Sequence, residues 1–285
     1  MKRLQLILVL LLSIMVFKGA FAAAGDELLK LPVQDAGRIK PYDTFSKEML
    51  EIVHGKSKFE GRGAAEIVMT WMLSPQSWQT KKIFEVRNHE VLKALGLPAV
   101  ERYFSGDEIF SSPQFGSLIH DLQSKRETKE KLTPYFQALQ RLEDQLSVFR
   151  EIAGGNMLRL IPPKEGTVWL SVVQFEGEQQ TAFAVLTKSF IGYIGGVASH
   201  VSASELKQLA SEMDSAVLAF REVARKNNPG LYSVDTKVNV EVFYNHFHPF
   251  RWAYIFYLLS SLVLLMVWSM NKITWMKAAW AFASV

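Results

Sequence analysis

Ser202 to Lys226 reads SASELKQLASEMDSAVLAFREVARK, and the spacing within it sets the class of fold. Ser202 with Glu205 makes a capping box, in which the hydroxyl accepts an amide of the first turn and the carboxylate reaches back. Leu206, Leu209, Met213, Val217, Phe220 and Val223 recur at three- and four-residue steps, so a helix from Ala203 to Lys226 has one apolar face. Asn227-Asn228-Pro229-Gly230 ends it, because proline has no amide and clashes with the preceding turn.

The same reading extends outward. Upstream, Thr128 to Ile152 is a second long helix with Pro134 near its first turns and Gly154-Gly155 beyond its end. Its stripe is Tyr135, Leu139, Leu142, Leu146 and Phe149. Shorter helices follow Asp43 or Thr44 as caps (Phe45, Met49, Ile52 and Val53 on one face, Gly55 as the stop), run from Ala64 to Leu73, and run from His89 to Leu95 before Gly96. Lys82 to Arg87 is a short strand. Lys237 to Tyr244 alternates Val238, Val240, Val242 and Tyr244 against polar neighbours, the pattern of a half-buried strand. Gly192 to Gly196 is a turn rather than a phosphate cradle. The expected class is helix-dominated α+β, followed by a C-terminal transmembrane helix.

That membrane helix is the uncharged run Trp252 to Met270, 19 residues long, against the roughly 20 needed to cross a bilayer. Arg251 precedes it, Lys272 and Lys277 follow, and a second apolar stretch, Trp275 to Val285, begins before the last residue. The expectation is the front end of a larger membrane protein, or one partner of a split one. At the other end, Met1-Lys2-Arg3, the apolar Leu4 to Phe17 and Ala20-Phe21-Ala22 compose a secretory signal peptide. Lys18, between the apolar region and the cleavage pattern, leaves an uncleaved anchor as the alternative. The positive-inside rule keeps Lys2, Arg3, Lys272 and Lys277 in the cytoplasm. Four segments follow: 1–22 as signal or anchor, 23–250 as an exported domain, 251–271 as the membrane helix and 272–285 as the start of a second one. The expected address is a bacterial inner membrane with the main domain in the periplasm.

Composition excludes several functions. The formal charge of +4 is small for 285 residues and its basic residues are scattered, which gives nucleic-acid binding no support. Cysteine is absent, so there are no disulfides, thiol chemistry, Cys-ligated metal or C-x-x-C-H haem attachment sequence. There is no G-x-S-x-G, P-loop, G-x-G-x-x-G before a helix or H-E-x-x-H, and no catalytic or metal-binding residues are assigned. Trp71, Trp78 and Trp169 are expected in the core. Two candidates carry chemistry. His246 and His248 lie just before the membrane run, where a strand would aim both imidazoles to one side for haem or partner contact. An interfacial role beside Phe247, Phe250, Arg251 and Trp252 is the favoured reading. His54, His89, His120 and His200 are expected at the surface or in local caps. Arg38, Lys40 and Asp43 can form an anion site, or, as the favoured reading, tie the mature N-terminus onto the domain.

Two stretches resemble a known family. Leu31-Pro32-Val33-Gln34-Asp35-Ala36-Gly37-Arg38-Ile39-Lys40-Pro41-Tyr42-Asp43-Thr44-Phe45 is similar to the opening of the exported domain of CcsA/ResC-type (system II) cytochrome c biogenesis proteins. Its motif and anchor residues are Gln34, Asp35, Gly37, Arg38, Lys40, Pro41 and Thr44. Glu241-Val242-Phe243-Tyr244-Asn245 with Pro249-Phe250 resembles the point where that domain re-enters the bilayer. The resemblance implies a non-catalytic part of a cytochrome c synthase, working beside a multi-spanning haem-handling protein of the CcsB/CcsA type. Apocytochrome c and membrane lipid would be its other partners. Haem would be held mainly by that partner or by a region beyond this chain, since the family's tryptophan-rich motif and ligating histidines match nothing here. A membrane-anchored sensor, receptor or binding module is the competing reading.

Overall fold

The computed structural model describes residues 26–232, 235–247 and 249–270. The signal or anchor segment 1–22, Lys272, Lys277, the segment 272–285 and His248 lie outside the described residues. Two compact units divide the chain, one up to Asp235 and one from Thr236.

The first unit is helix-dominated α+β, and its only strands among the described residues are four antiparallel pairs. It begins with α1 (Asp26–Leu29), β1 (Pro32–Asp35), β2 (Arg38–Pro41) and α2 (Tyr42–His54). Then come β3 (Lys58–Phe59), β4 (Arg62–Gly63), α3 (Ala64–Leu73) and a 3-10 turn, Pro75–Trp78. β5 (Phe84–Glu85), α4 (His89–Leu95), β6 (Tyr103–Phe104), α5 (Gly106–Phe110), α6 (Phe115–Glu127) and α7 (Pro134–Ala153) fill the middle. β7 (Arg159–Ile161), β8 (Leu170–Ser171), a second 3-10 turn (Val172–Gln174), α8 (Glu178–Ala198) and α9 (Ala203–Asn227) complete it. α10 (Asp235–Phe247) and α11 (Pro249–Met270) follow.

A single apolar core runs through the first unit. Trp71, Trp78 and Trp169 are buried in it, as expected. Trp71 stands edge-on to Trp78 at 6.2 Å and to Phe149 of α7 at 5.5 Å. Phe175, Phe183 of α8 and Phe220 of α9 form a second aromatic group, with centroids 5.5–5.9 Å apart. Ser202 caps α9 by accepting the Glu205 amide at 3.2 Å, and Met213, Val217 and Phe220 lie buried on its expected face.

Four elements depart from the sequence reading. The long helix starts at Pro134, not Thr128. Thr133 caps it and proline takes the first position, where its missing amide costs nothing. α2 is capped by Pro41, with Asp43 and Thr44 inside its first turn; Gly55 does stop it, in the left-handed region at φ 73°. The stretch Lys237 to Tyr244 is helical. Val238 and Val242 are the covered pair while Val240 and Tyr244 are exposed. Residues four apart satisfy a two-residue repeat and a helical turn alike, so alternation this short does not distinguish them.

The fourth departure is Gly192–Gly196, which continues α8 as helix rather than turning. A Cβ on Gly196 would lie 2.6 Å from Leu209 Cδ1, so the missing side chain lets α8 and α9 approach closely. Gly195 faces open space. Gly195→Ala is therefore expected to raise stability by about 0.5–1 kcal/mol, through helix propensity alone. Gly196→Val is expected to lower it by about 1–3 kcal/mol by overpacking. Urea denaturation of the two variants checks the pair; equal effects would refute the close-approach account.

α8 is long and apolar enough to cross a membrane by length and composition. It nevertheless packs Phe183, Leu186 and Phe190 into the core of the first unit. The run Trp252 to Met270 lies within α11, 22 residues long, or about 33 Å at 1.5 Å per residue.

Candidate functional site

The β1–β2 hairpin places the quoted motif. Ala36 and Gly37, at φ 48° and 75°, form its turn, the doubly left-handed geometry that matches strand twist and that glycine allows without strain. Gln34 acts as a side-chain splint: its Nε2 donates to Thr167 O at 2.7 Å and its Oε1 accepts from Trp169 N at 2.7 Å. Lys40 is buried, with Nζ 2.9 Å from Asp35 and 2.5 Å from Glu48. Burial lowers its pKa, but the two carboxylates outweigh that and hold it above the usual lysine range. Asp43 pairs instead with Lys47 at 2.8 Å, and Arg38 is exposed. Pro41 is the α2 cap and Thr44 sits in the first turn after it.

A second charged centre was not foreseen. Arg221, on the buried face of α9, is 8% exposed and holds Glu27 of α1 and Asp235 at 2.8 Å each. Arg225, one turn on, reaches Asp235 at 2.7 Å and lies 5.8 Å from the Tyr232 ring. Tyr232 in turn stacks on Trp169 at 5.8 Å. One guanidinium therefore bridges the start and the end of the first unit. The signal was present in the sequence: Arg221 lies four residues after Val217, within the apolar stripe.

A ligand-sized cleft of about 650 Å³ lies between the α5–α6 region and α7. Trp78, Phe84, Phe110, Phe115 and Phe149 wall it, while Asp107, Arg150 and the Arg126–Glu143 pair (2.6 Å) line it with charge. Phe110 is 61% exposed and stands edge-on to Phe115 at 5.3 Å. Flat apolar walls beside a few polar groups suit an amphipathic ligand. No periodic pattern marks Phe110 or Phe115, so only the fold brings them together.

The histidines fall differently from expectation. His246 is in α10, not a strand, and its Nδ1 lies 2.8 Å from Val242 O of the same helix. The strand assumed for the shared-face reading of His246 and His248 is not formed at His246, and His248 lies outside the described residues. His89, His120 and His200 are exposed, but His54 is buried, with Nδ1 3.1 Å from Ile83 O. Among the described residues no three His, Asp or Glu side chains gather in a metal-binding arrangement.

Burial pushes the His54 pKa below its ordinary value despite the Ile83 hydrogen bond. The unfolded chain binds that proton near pH 6.5, so folded stability is full above 6.5 and falls as pH drops towards the lower folded value. Stability between about pH 6.5 and 5 should therefore decline in the native protein, with a flatter profile in His54→Gln. Denaturant midpoints at half-unit pH steps test this, and parallel profiles would rule His54 out.

These features define a helix-rich α+β domain with an aromatic cleft and its two ends joined by one arginine. Over 154 residues the chain is 24% identical to Protein NrfI of Wolinella succinogenes, an alignment covering half of this chain and 16% of that protein. No family model matches the chain.

Proposed function

We propose that the chain is a membrane-anchored component of system II cytochrome c maturation. In this reading it supports haem delivery and attachment to apocytochrome c at the outer face of the bacterial inner membrane. The observation that carries it is the NrfI likeness over half the chain. The Leu31–Phe45 motif, folded as a hairpin splinted to Thr167 and Trp169, agrees with it. α11, with Arg251 before its apolar run, would be the membrane anchor. A multi-spanning CcsB/CcsA-type protein would hold the haem, and this chain would act as a scaffold rather than a catalyst. His246 and His248 are the residues proposed to face haem or that partner.

Deleting the gene and staining membrane proteins for covalent haem tests this. Loss of the stained bands, restored by complementation, is the expected result. Complementation by a His246→Ala/His248→Ala chain would remove both histidines from the proposal while leaving the rest. Unchanged bands after deletion would favour a membrane-anchored binding module, a reading that the aromatic cleft supports independently.

A further inference from the structure

Apart from the cleft and the Arg221 bridge, the β5–β6 pair carries a third cluster. Glu85 pairs with Tyr103 across the two strands. Its side chain is only 7% exposed, yet it is held by Arg87 at 2.8 Å and by Arg102 at 2.5 Å. The carboxylate sits against bare backbone: a Cβ on Gly55 would come within 2.9 Å of Glu85 Oε2. Gly55 ends α2 in the left-handed region, so the same turn delivers Lys56 to this place. Lys56 Nζ is 5.4 Å and the Arg102 guanidinium 5.7 Å from the Tyr103 ring. The Tyr103 hydroxyl is itself buried without a hydrogen-bond partner.

Two arginines therefore hold one carboxylate, and Lys56 lies over the same Tyr103 ring as Arg102, so these side chains carry a formal surplus of two positive charges. Arg87 and Arg102 are 57% and 51% exposed. Each guanidinium has five donors in a rigid fork, and Glu85 occupies only part of each. A buried carboxylate that pins two arginines removes the entropy they would otherwise lose on binding, which preorganises their outer edges for another oxyanion. Lys56 enters none of the ion pairs among the described residues and adds charge without competing for Glu85. Two surplus charges match a single oxyanion better than a polyanion, which needs a longer basic track.

We propose that Lys56, Arg87 and Arg102, organised by Glu85, form a binding site for one carboxylate or phosphate group. The site is independent of the cytochrome c maturation reading and stands or falls separately from it.

The test follows thermal unfolding of the full chain in nonionic micelles, titrated with succinate and with inorganic phosphate at ionic strength fixed by chloride. A saturable rise in Tm is expected, since a ligand that binds only the folded state stabilises it. Lys56→Gln and Arg87→Gln alter exposed side chains, so both variants should fold. Each should raise the half-saturating concentration about fivefold, as for one exposed charge-assisted contact. Lys188→Gln, on α8, should leave it unchanged. Tighter binding of succinate would assign the site to a carboxylate such as an acidic side chain, and tighter binding of phosphate to a phosphate ester. A linear, unsaturable shift would overturn the proposal. So would a response in Lys56→Gln and Arg87→Gln equal to that of the native chain, or one lost equally in Lys188→Gln.

Discussion

Arg221→Met lowers the unfolding free energy of the first unit by about 3 kcal/mol, the expected loss when one partner of a buried ion network is removed. Methionine replaces the stem of Arg221 and keeps most of its packing, but Glu27 loses the guanidinium that it meets at 2.8 Å and keeps Lys30, also at 2.8 Å. Asp235 keeps Arg225 at 2.7 Å, which places the loss at the low end for such a change. Lysine keeps the charge without the planar fork, so Arg221→Lys should recover only part of the stability. Urea denaturation of the three chains decides it. A loss under about 0.5 kcal/mol for Arg221→Met would mean that solvent replaces the network without penalty.

Trp71→Ala should cost about 4 kcal/mol, within the range for deleting a large buried aromatic side chain. Trp71 is fully buried and contacts both Trp78 and Phe149, two walls of the cleft, so its removal is expected to loosen the cleft as well as the core. Its indole N–H is buried and unpaired. Trp71→Phe removes that unsatisfied donor along with some packing, and the two effects oppose each other. The phenylalanine variant should therefore lose much less, about 1–2 kcal/mol, than the alanine variant. Comparing their denaturation midpoints checks the balance. Equal losses would show that the shape of the indole, rather than buried apolar area, governs this part of the core.

The helices were legible where an apolar stripe ran for several turns. Leu139, Leu142 and Leu146 on α7 and Met213, Val217 and Phe220 on α9 are buried as their spacing required. The tryptophans followed from size and apolarity. The reading failed where the local signal was short or shared by two structures. The alternation from Val238 to Val242 fits a strand and a helix equally. The glycines from Gly192 to Gly196 look like a turn until Leu209 of the neighbouring helix is seen against Gly196.

The candidate sites divide in the same way. Gln34, Asp35 and Lys40 stand close together in the chain, and the β1–β2 hairpin pairs the two runs that carry them. The Arg221 bridge joins Glu27 to Asp235, the Glu85 cluster joins Gly55 to Arg102, and the cleft joins Trp78 to Arg150. No local pattern encodes contacts at such separations. The sequence by itself determined the helix-rich class, the buried faces of its long helices and the chemistry excluded by the lack of cysteine, because periodicity and composition act locally or in bulk. Only the tertiary structure decided which charges meet and where an apolar cleft stays open, because those depend on how distant segments pack.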